Sequence, residues 1–404
     1  MPFVVFVAPL LSDNAFRMID AVAALPDVAL GVITQDEAGK LRHLTDRAAH
    51  WRVANVMDAQ QIAWAARELA QRNGPIHRLF GAFEHIQEPL AQVRQWLGIE
   101  GVSAEVATNF RDKARMKTLL REAGLPCARH RLATSLDDAR DFGERSGFPM
   151  VAKPPSGAGA VSTYRVESME QLMRALAPNP PTPSHPVLLE EFVVGDEHSF
   201  ETITINGQHV WHSLTHYYPT PLTVIENPWI QWSVVLPREV DDPAYDDIRT
   251  AARRALDVLG MTTGISHMEW FRRKDGTIAI SEVAARPPGA QITTLMSKAN
   301  DFDLLKEWAR AMVYGDFHVP DRRFAVGAAF LRGQGQGRIV KVTGVDEVQR
   351  AVGNLVVDFR MPQVGVTPST SYEGDGYIMV RHPETQRVEE AVMKIISTIR
   401  VELG

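Results

Sequence analysis

The sequence predicts a mixed α/β and α+β fold in several domains, on three observations. The chain has 404 residues, more than one hydrophobic core usually supports. Short apolar runs alternate with helical patterns over residues 1 to about 105, which is typical of a parallel α/β layer. Beyond that point the alternation is less regular, and Asp-Gly between two β-prone runs marks a hairpin near residue 275, so α+β units are expected.

Composition and charge describe an ordinary globular protein. Apolar residues make up 45% and charged residues 23%, and the formal net charge is −6. A weakly acidic chain is not expected to bind nucleic acid, which requires clustered Lys and Arg. The single cysteine, Cys127, excludes intramolecular disulfides and fits a reducing cytosol. No apolar run approaches the length of a membrane span, so we expect a cytoplasmic protein with no membrane partner.

The first part of the chain resembles half of a nucleotide-binding fold. The pattern predicts three strands, at 3–8, 28–34 and 78–83, and three helices, at 15–24, 59–71 and 88–97. The residues after the first strand, Pro9-Leu10-Leu11-Ser12, lack the glycine-rich dinucleotide fingerprint. A conventional NAD site is therefore not expected.

The remaining elements are predicted in chain order. Residues 109–123 form an amphipathic helix that Gly124 and Pro126 stop, and residues 130–177 form a compact α+β module. A Pro-rich loop at 177–186 closes this module. The later predictions are strands at 187–205 with a turn at Gly195, a helix at 241–259, a hairpin at 264–284, a helix at 302–314, and mixed strands with a closing helix over 325–404.

Two glutamates of the predicted hairpin are candidates for a metal site. If Asp275-Gly276 form a two-residue loop, Glu269 and Glu282 lie directly opposite each other on one face. Facing carboxylates repel, and a hard cation such as Mg²⁺ would neutralise them. The alternative is a pair of solvated glutamates on an exposed sheet face.

Two further segments carry polar groups in a suggestive order. A strand ends at Lys153 and is followed by a loop of small residues, 154–161, whose backbone could approach an anion closely. Residues 188–200 form a strand, a polar turn and a second strand. The alternatives are an ordinary glycine-rich turn and an ordinary edge hairpin.

Together with Arg111-Asp112-Lys113 at the start of a helix, these signals resemble the ATP-grasp superfamily over most of the chain. The resemblance implies an N-terminal parallel α/β (pre-ATP-grasp) domain at 1–110. It also implies a linker helix with a small lid domain at 111–192, and a larger metal-binding domain at 193–404 with a C-terminal α+β subdomain from about 325.

The resemblance implies which residues hold ATP. Lys113 and Lys153 match the lysines on the α- and β-phosphates, and Glu197 matches the acid on the ribose hydroxyls. The other matches are the hinge that binds the adenine edge, Glu190, Glu191 and Val193, and the loop that closes over the phosphates, Ser156, Gly157, Ala158, Gly159 and Ala160.

The resemblance also assigns the metal site and the chemistry. Glu269 and Glu282 match the carboxylates that hold Mg²⁺, with two ions implied and Mn²⁺ as a substitute. Arg286 matches the arginine that steadies the acyl phosphate and the tetrahedral species, so Arg286 and Lys153 are the expected catalytic residues. Many members carry an Asn two residues after the second glutamate, where this chain has Ala284. In the predicted register Ala284 faces His267, which either packs there or binds a metal-bound water.

Within the superfamily the chain resembles L-amino-acid ligases that form dipeptides. The similar segments are Glu88-Pro89-Leu90, residues 282–289 and Gly374-Asp375-Gly376. The expected substrate residues are Glu226, Arg286 and Gly289, although Trp229 stands where the group has a histidine.

The predicted function is ATP- and Mg²⁺-dependent joining of a carboxylate and an amine through an acyl phosphate, with release of ADP and phosphate. The resemblance implies that both substrates are amino acids. Related enzymes are commonly dimers, which makes a homodimer one expectation. One alternative is a biotin-carboxylase-like or purine-biosynthetic enzyme that activates bicarbonate or formate. Another is a non-catalytic ATP-grasp-like binding module.

Overall fold

The chain begins with a parallel sheet that has helices on both faces. A computed structural model describes residues 1–156, 163–227 and 229–404. The elements of this first unit are β1 (Phe3–Ala8), α1 (Asp13–Ala23), β2 (Ala29–Thr34), β3 (Ala48–Arg52), α2 (Ala59–Asn73), β4 (Ile76–Phe80) and α3 (Gln87–Leu97). The strand order is β3-β2-β1-β4. Every residue of β1 is buried, because α1 covers one face while α2 and α3 cover the other.

The predicted single helix at 109–123 is wrong, because two helices meet there. They are α4 (Ala104–Arg111) and α5 (Lys113–Glu122). Asp112 between them has an extended conformation, and its carboxylate accepts hydrogen bonds from the backbone N–H groups of Ala114 and Arg115. This cap starts a new helix. The chain therefore turns between Arg111 and Lys113, and their side chains belong to two different helices.

A small antiparallel sheet with two helices follows. Its elements are β5 (His130–Ala133), α6 (Leu136–Ser146), β6 (Met150–Lys153), β7 (Tyr164–Val166), α7 (Met169–Leu176) and β8 (Val187–Glu191), with the strand order β5-β8-β6-β7. Both helices pack on a core that includes Met150 and Leu189. Lys153 is the last residue of β6, as predicted. The predicted phosphate loop continues into Gly157–Ala160, which lies outside the described residues.

The rest of the chain is organised around one eight-stranded sheet. Its strands are β9 (Gly195–Ile205), β10 (Gln208–Tyr218), β11 (Ser233–Leu236), β12 (Gly264–Arg273), β13 (Ile278–Ala284), β14 (Ala325–Leu331), β17 (Val356–Arg360) and β18 (Gly376–His382), in the order β13-β12-β9-β10-β11-β14-β18-β17. The accompanying helices are α8 (Pro221–Glu226), α9 (Asp246–Leu259), α10 (Ile292–Asn300), α11 (Leu304–Tyr314), α12 (Val345–Val352) and α13 (Thr385–Thr398). A separate sheet contains β15 (Gly333–Gln334), β16 (Ile339–Thr343) and β19 (Arg400–Leu403).

Each sheet lies within one of the three predicted domain ranges. The residues from about 325 onward do not form a layer of their own. Strands β14, β17 and β18 extend the same sheet as β12 and β13. Helix α10 was not predicted, and the closing helix ends at Thr398, followed by β19. Within the described ranges no helix is both long and apolar enough to cross a membrane.

The large sheet has two faces with different roles. The front face carries Ser199, Glu201 and Glu269, since Ser199 lies opposite Glu269 and side chains directly opposite share a face. The back face carries Phe200 and Met268, which pack with helix α9. Strands β9 and β12 approach closely at Gly195, where an added Cβ would lie 2.3 Å from the carbonyl oxygen of Arg272. A side chain at that position would push the two strands apart.

The metal-site hairpin differs from prediction in its loop but not in its pairing. Strands β12 and β13 are joined by a three-residue loop, since the N–H of Arg273 donates to the carbonyl of Thr277 at 2.8 Å. A β-bulge restores the expected register, because Trp270 faces Ile280 while Glu269 faces Glu282, leaving Ser281 as the extra residue. The two glutamates are therefore opposite each other, as predicted.

The outer edge of the large sheet is covered by the segment before β5. The N–H of Ile280 in β13 donates to the carbonyl of Pro126 at 2.8 Å. Cys127 lies beside Ile280, and its thiol contacts the carbonyl oxygen of Lys117 at 3.7 Å. Burial raises the pKa of the Cys127 thiol, which disfavours the thiolate form that a nucleophile needs.

The back face holds two histidines that burial keeps neutral. The His198 ring lies 4.6 Å from the Trp270 ring and 4.7 Å from the His216 ring, centroid to centroid. Burial, followed by the charges of His216 and Arg272, lowers the pKa of His198 to about 3. Burial likewise lowers the pKa of His216 to about 4.

We expect this pair to make the protein less stable in mild acid. Below pH 6.5 the unfolded chain binds protons that the folded chain does not, so each histidine reduces the free energy of unfolding by about 1.4 kcal/mol per pH unit down to its folded pKa. In urea unfolding at pH 7, 6 and 5, the free energy of unfolding of His198→Phe should fall less steeply with decreasing pH than that of wild type. The exposed His185→Phe is the matched control. Parallel pH profiles for His198→Phe and wild type would contradict the assignment.

Candidate functional site

A cavity of about 720 Å³ opens between the front face of the large sheet, the small sheet and the loop after β4. Most of the predicted site residues line it. They are Lys113, Lys153, Glu190, Glu191, Val193, Glu197, Glu269, Glu282, Arg286 and Gly289. These residues come from α5, both sheets and the segment after β13, so the fold gathers them across more than 170 positions of sequence.

The facing glutamates have cationic neighbours. The ammonium of Lys113 lies 2.8 Å from a carboxylate oxygen of Glu282. His267 Nε2 lies 3.7 Å from a carboxylate oxygen of Glu269. Burial opposes ionisation of Glu269, but His267, Arg286 and Lys113 outweigh it and lower the pKa of this carboxyl. The Glu269 carboxylate is therefore available in the charged form at neutral pH.

The donor set fits Mg²⁺ bound together with phosphates. This ion is usually held by one or two carboxylates, several waters and substrate phosphates rather than by a full protein cage. Glu269 and Glu282 supply such a pair, and their side chains keep 31% and 19% of their surface exposed. Over the described parts of the chain, no group of three or more His, Cys, Asp and Glu side chains is arranged to hold a metal. The pair thus suits a site that a nucleotide completes.

A buried network lies beneath Glu269. His267 faces Ala284, as the register predicted, and its Nδ1 lies 2.8 Å from a carboxylate oxygen of Glu201. Ser199 donates to the same oxygen at 2.6 Å. Burial disfavours the imidazolium, yet the hydrogen bond to Glu201 and the nearby carboxylate of Glu269 raise the pKa of His267 to about 9. His267 is therefore held by a carboxylate on each side and helps to fix the position of Glu269.

Lys153 belongs to a buried group of three charges. Its ammonium lies 3.0 Å from one oxygen of Glu190, and the ammonium of Lys117 lies 3.3 Å from the other. Lys117 is completely buried and also donates at 2.7 Å to the carbonyl of Ser281, the extra residue of the β-bulge. Burial opposes a charged Glu190, but the two lysines lower the pKa of its carboxyl. This group ties α5, the small sheet and the metal-site hairpin together.

The other residues predicted to bind the nucleotide differ in whether their carboxylates are already paired. The carboxylate of Glu191 bridges Arg129 at 2.5 Å and Arg273 at 2.9 Å, so it is already paired. Glu197 is buried on the front face, and burial, together with the charge of Glu269, raises the pKa of its carboxyl well above the ordinary value. Contacts of Glu191 to a nucleotide would therefore use its main chain, whereas the Glu197 carboxyl lines the cavity.

Arg286 is oriented by the N-terminal unit. Its Nε donates to one carboxylate oxygen of Glu84 at 2.6 Å, and its Nη1 donates to the carbonyl of Pro287 at 2.9 Å. The other oxygen of Glu84 lies 3.7 Å from Nη1 of Arg111. Burial disfavours the guanidinium charge, but Glu84, Glu282 and Glu269 raise the pKa of Arg286. Glu84 thus holds a permanently charged group at the cavity wall.

Three positions that were predicted for the site do not line the cavity in the part of the chain that the structure describes. Glu226 is exposed at the end of α8, Trp229 is 62% exposed, and Ser156 is exposed after β6. None of the three is among the cavity-lining residues. A substrate role for Glu226 stays a prediction, as does the phosphate-loop role of Ser156.

Two site residues, Lys117 and Glu84, were not assigned roles from the sequence. Lys117 follows Lys113 by four residues and so lies on the same face of α5, a spacing that could have suggested it. Glu84 follows β4, and the carboxyl ends of parallel strands are where ligand sites form in α/β layers. Their partners lie up to 202 residues away, and no local pattern indicates such contacts.

Comparison with known proteins gives a family match for part of the chain. Residues 118–302 match the family model described as ATP-grasp domain. The chain carries an ATP-grasp domain. The predicted ATP-grasp fold and the prediction of an ATP-dependent ligase are thereby confirmed. The matched residues include Lys153, Glu269, Glu282 and Arg286, whereas Lys113 and Glu84 lie before them.

The relatives of this chain include amino-acid ligases. It is 25% identical over 296 residues to the L-arginine-specific L-amino acid ligase of Bacillus subtilis, covering 69% of this chain and 70% of that protein. Its fold matches the L-amino acid ligase of Bacillus licheniformis with a TM-score of 0.79 and 17% identity, over 100% of this chain and 99% of that one. It also matches N5-carboxyaminoimidazole ribonucleotide synthetase of Thermotoga maritima, with a TM-score of 0.73 and 16% identity over both full chains. At such identities the structural matches describe the fold alone.

Proposed function

We propose that this protein joins the carboxylate of one amino acid to the amine of a second substrate, using ATP and Mg²⁺. The observation that carries the proposal is the facing pair Glu269 and Glu282 in one cavity with Lys113, Lys153 and Arg286. Phosphoryl transfer to a carboxylate requires positioning and neutralisation of charge more than covalent help. The similarity to the L-arginine-specific L-amino acid ligase supports amino acids as substrates.

The cationic side chains have distinct tasks in this reaction. Lys113 and Lys153 offset phosphate charge at the cavity wall, and Glu190 keeps Lys153 in place through a 3.0 Å ion pair. Glu269 and Glu282 would hold Mg²⁺, which neutralises phosphate oxygens when bound. Arg286, held by Glu84, stabilises negative charge that develops on the substrate carbonyl oxygen.

The proposed steps balance without another reactant. A carboxylate oxygen attacks the γ-phosphorus, and the bond to ADP breaks, which gives an acyl phosphate and ADP. The amine nitrogen then attacks the carbonyl carbon, phosphate leaves, and the nitrogen loses a proton to solvent. Because an acyl phosphate hydrolyses, water must be excluded between the two steps.

The alternative is activation of bicarbonate or formate. The fold allows this function, since N5-carboxyaminoimidazole ribonucleotide synthetase has a similar fold over the full chain. In that case the same lysines and glutamates would serve, and the nucleophile would be a nitrogen compound. Two metal ions, Mn²⁺ as substitute, a homodimer and a cytoplasmic location stay predictions.

The proposal is tested by trapping the acyl phosphate. The protein is incubated with ATP, Mg²⁺ and hydroxylamine, with each common amino acid in turn as the carboxylate. Hydroxylamine converts an acyl phosphate into a stable hydroxamate, so the active carboxylate appears as a hydroxamate formed together with ADP. The amino acids that react are then paired with every amino acid in place of hydroxylamine, and product masses are measured.

The outcomes separate the proposed functions. Amino-acid hydroxamates and dipeptide masses would support the amide ligase. ADP release that depends on bicarbonate or formate, but on no amino acid, would favour the alternative. ATP binding without ADP release under any of these conditions would favour a binding module and contradict both enzymatic functions.

A further inference from the structure

A second cavity, of about 460 Å³, adjoins the first one. It lies between β4, α4, α11 and the start of β12, and its volume suits a small metabolite. The two cavities share three lining residues, Glu84, Arg286 and Pro287. Neither the nucleotide nor the metal residues proposed above account for this second cavity.

The wall of the second cavity is positively charged. Among the described residues it contains four arginines and two glutamates: Arg78, Arg94, Arg111, Arg286, Glu84 and Glu100. Arg78 pairs with Glu100 at 2.9 Å, and both Nη atoms of Arg94 donate to backbone carbonyl oxygens. A wall with this excess of guanidinium groups favours an anionic ligand.

Arg111 lines the second cavity next to the shared wall, and it is the guanidinium with the weakest pairing there. Its Nη1 is buried and has no hydrogen-bond partner among the residues that the structure describes. The nearest carboxylate oxygen is that of Glu84 at 3.7 Å, beyond hydrogen-bond distance, and Glu84 uses its other oxygen for Arg286 at 2.6 Å. One carboxylate is thus shared by two guanidinium groups. An incoming carboxylate could pair with Arg111 without taking Glu84 from Arg286.

The position of this cavity also fits the requirement to exclude water. The nucleophile must reach the carbonyl carbon while the acyl phosphate is protected. A substrate bound in the second cavity, beyond Arg286 and Glu84, would not require the nucleotide cavity to open to solvent.

We propose that the second cavity binds the amine substrate as an amino acid, with its carboxylate on Arg111 and its amine directed toward Arg286 and the nucleotide cavity. This inference rests on the amide-ligase function proposed above. It predicts that the nucleophile must carry a carboxylate, because a charge-assisted hydrogen bond to a buried guanidinium discriminates strongly against a neutral analogue.

The test compares amino acids with their amides as nucleophiles. The carboxylate donor is the one that gives the most hydroxamate, and the nucleophile is L-alanine or L-alaninamide, or glycine or glycinamide. We expect wild type to favour the free acid by at least about 10-fold in kcat/KM. Arg111→Met should bring this preference to within about twofold, and it should lower the rate with L-alanine more than the rate with hydroxylamine, which has no carboxylate.

Two further variants keep the test decisive. Ala107→Leu fills part of the second cavity from α4 without altering Arg111, and it should raise KM for L-alanine but not for hydroxylamine. Arg67→Met removes an exposed arginine from α2 and should change none of these values. A wild-type preference for the amides, or an equal effect of Arg111→Met on acid and amide, would overturn the inference. A complete lack of hydroxamate would instead refute the proposed ligase function.

Discussion

Glu282→Gln is expected to lower kcat by about 10³-fold while the protein stays folded. Glutamine keeps the size of the side chain but removes the negative charge that faces Glu269 and pairs with Lys113 at 2.8 Å. The carboxylate pair then loses half of its charge, and the affinity for Mg²⁺ falls with it. The measurement is ADP release with the active carboxylate as a function of Mg²⁺ concentration, next to a thermal unfolding curve.

Glu402→Gln is the matched control for this experiment. Glu402 is exposed on β19, in the separate three-stranded sheet, so its substitution should leave kcat and the Mg²⁺ dependence unchanged. Turnover by Glu282→Gln within about tenfold of wild type would contradict a metal role for this carboxylate.

Lys117→Met is expected to reduce the free energy of unfolding by about 3 kcal/mol. The ammonium is completely buried, and its loss leaves Glu190 paired with Lys153 alone and the carbonyl of Ser281 without its donor. One ammonium fewer then offsets the burial of the Glu190 carboxylate, whereas methionine fills the vacated space well. Urea unfolding at pH 7 measures the change.

A double-mutant cycle tests whether the charge group is the cause. Glu190→Gln leaves two buried lysines without their carboxylate in wild type but only Lys153 in Lys117→Met, so it should cost less in the variant than in wild type. Lys394→Met removes an exposed lysine that pairs with Glu347 and should change stability by no more than about 1 kcal/mol. Additive effects of the two buried substitutions would show that Lys117 acts through packing alone.

The sequence was most informative where chemistry and local pattern coincide. The glutamate pair was predicted from the hairpin signal, although the loop has three residues rather than two, because the bulge at Ser281 compensates for the longer loop. The break at Asp112 was missed, since a continuous amphipathic pattern hides a cap whose carboxylate is satisfied only after the chain turns. Periodicity describes which face is apolar, and it does not describe where the backbone bends.

Long-range contacts explain the remaining differences between the site predicted from the sequence and the site in the structure. Glu84 and Arg286 are 202 residues apart, and Lys117 meets Glu190 and Ser281 only when α5, the small sheet and the hairpin have assembled. Glu226 was proposed from a short motif and lies on an exposed helix end, so its substrate role stays a prediction. Residue type and spacing suggested the chemistry, and the packing of distant elements decided which side chains meet in the cavity.

The Glu84–Arg286 contact has a consequence for dividing this protein into parts. The segment that matches the family model, 118–302, includes Arg286 but neither Glu84 nor Lys113. It also ends before β14, β17 and β18, which complete the large sheet. A fragment with those limits would keep the recognisable sequence and lose the anchor of its own arginine. The set of paired charges around Arg286 therefore extends beyond the segment that matches the family model.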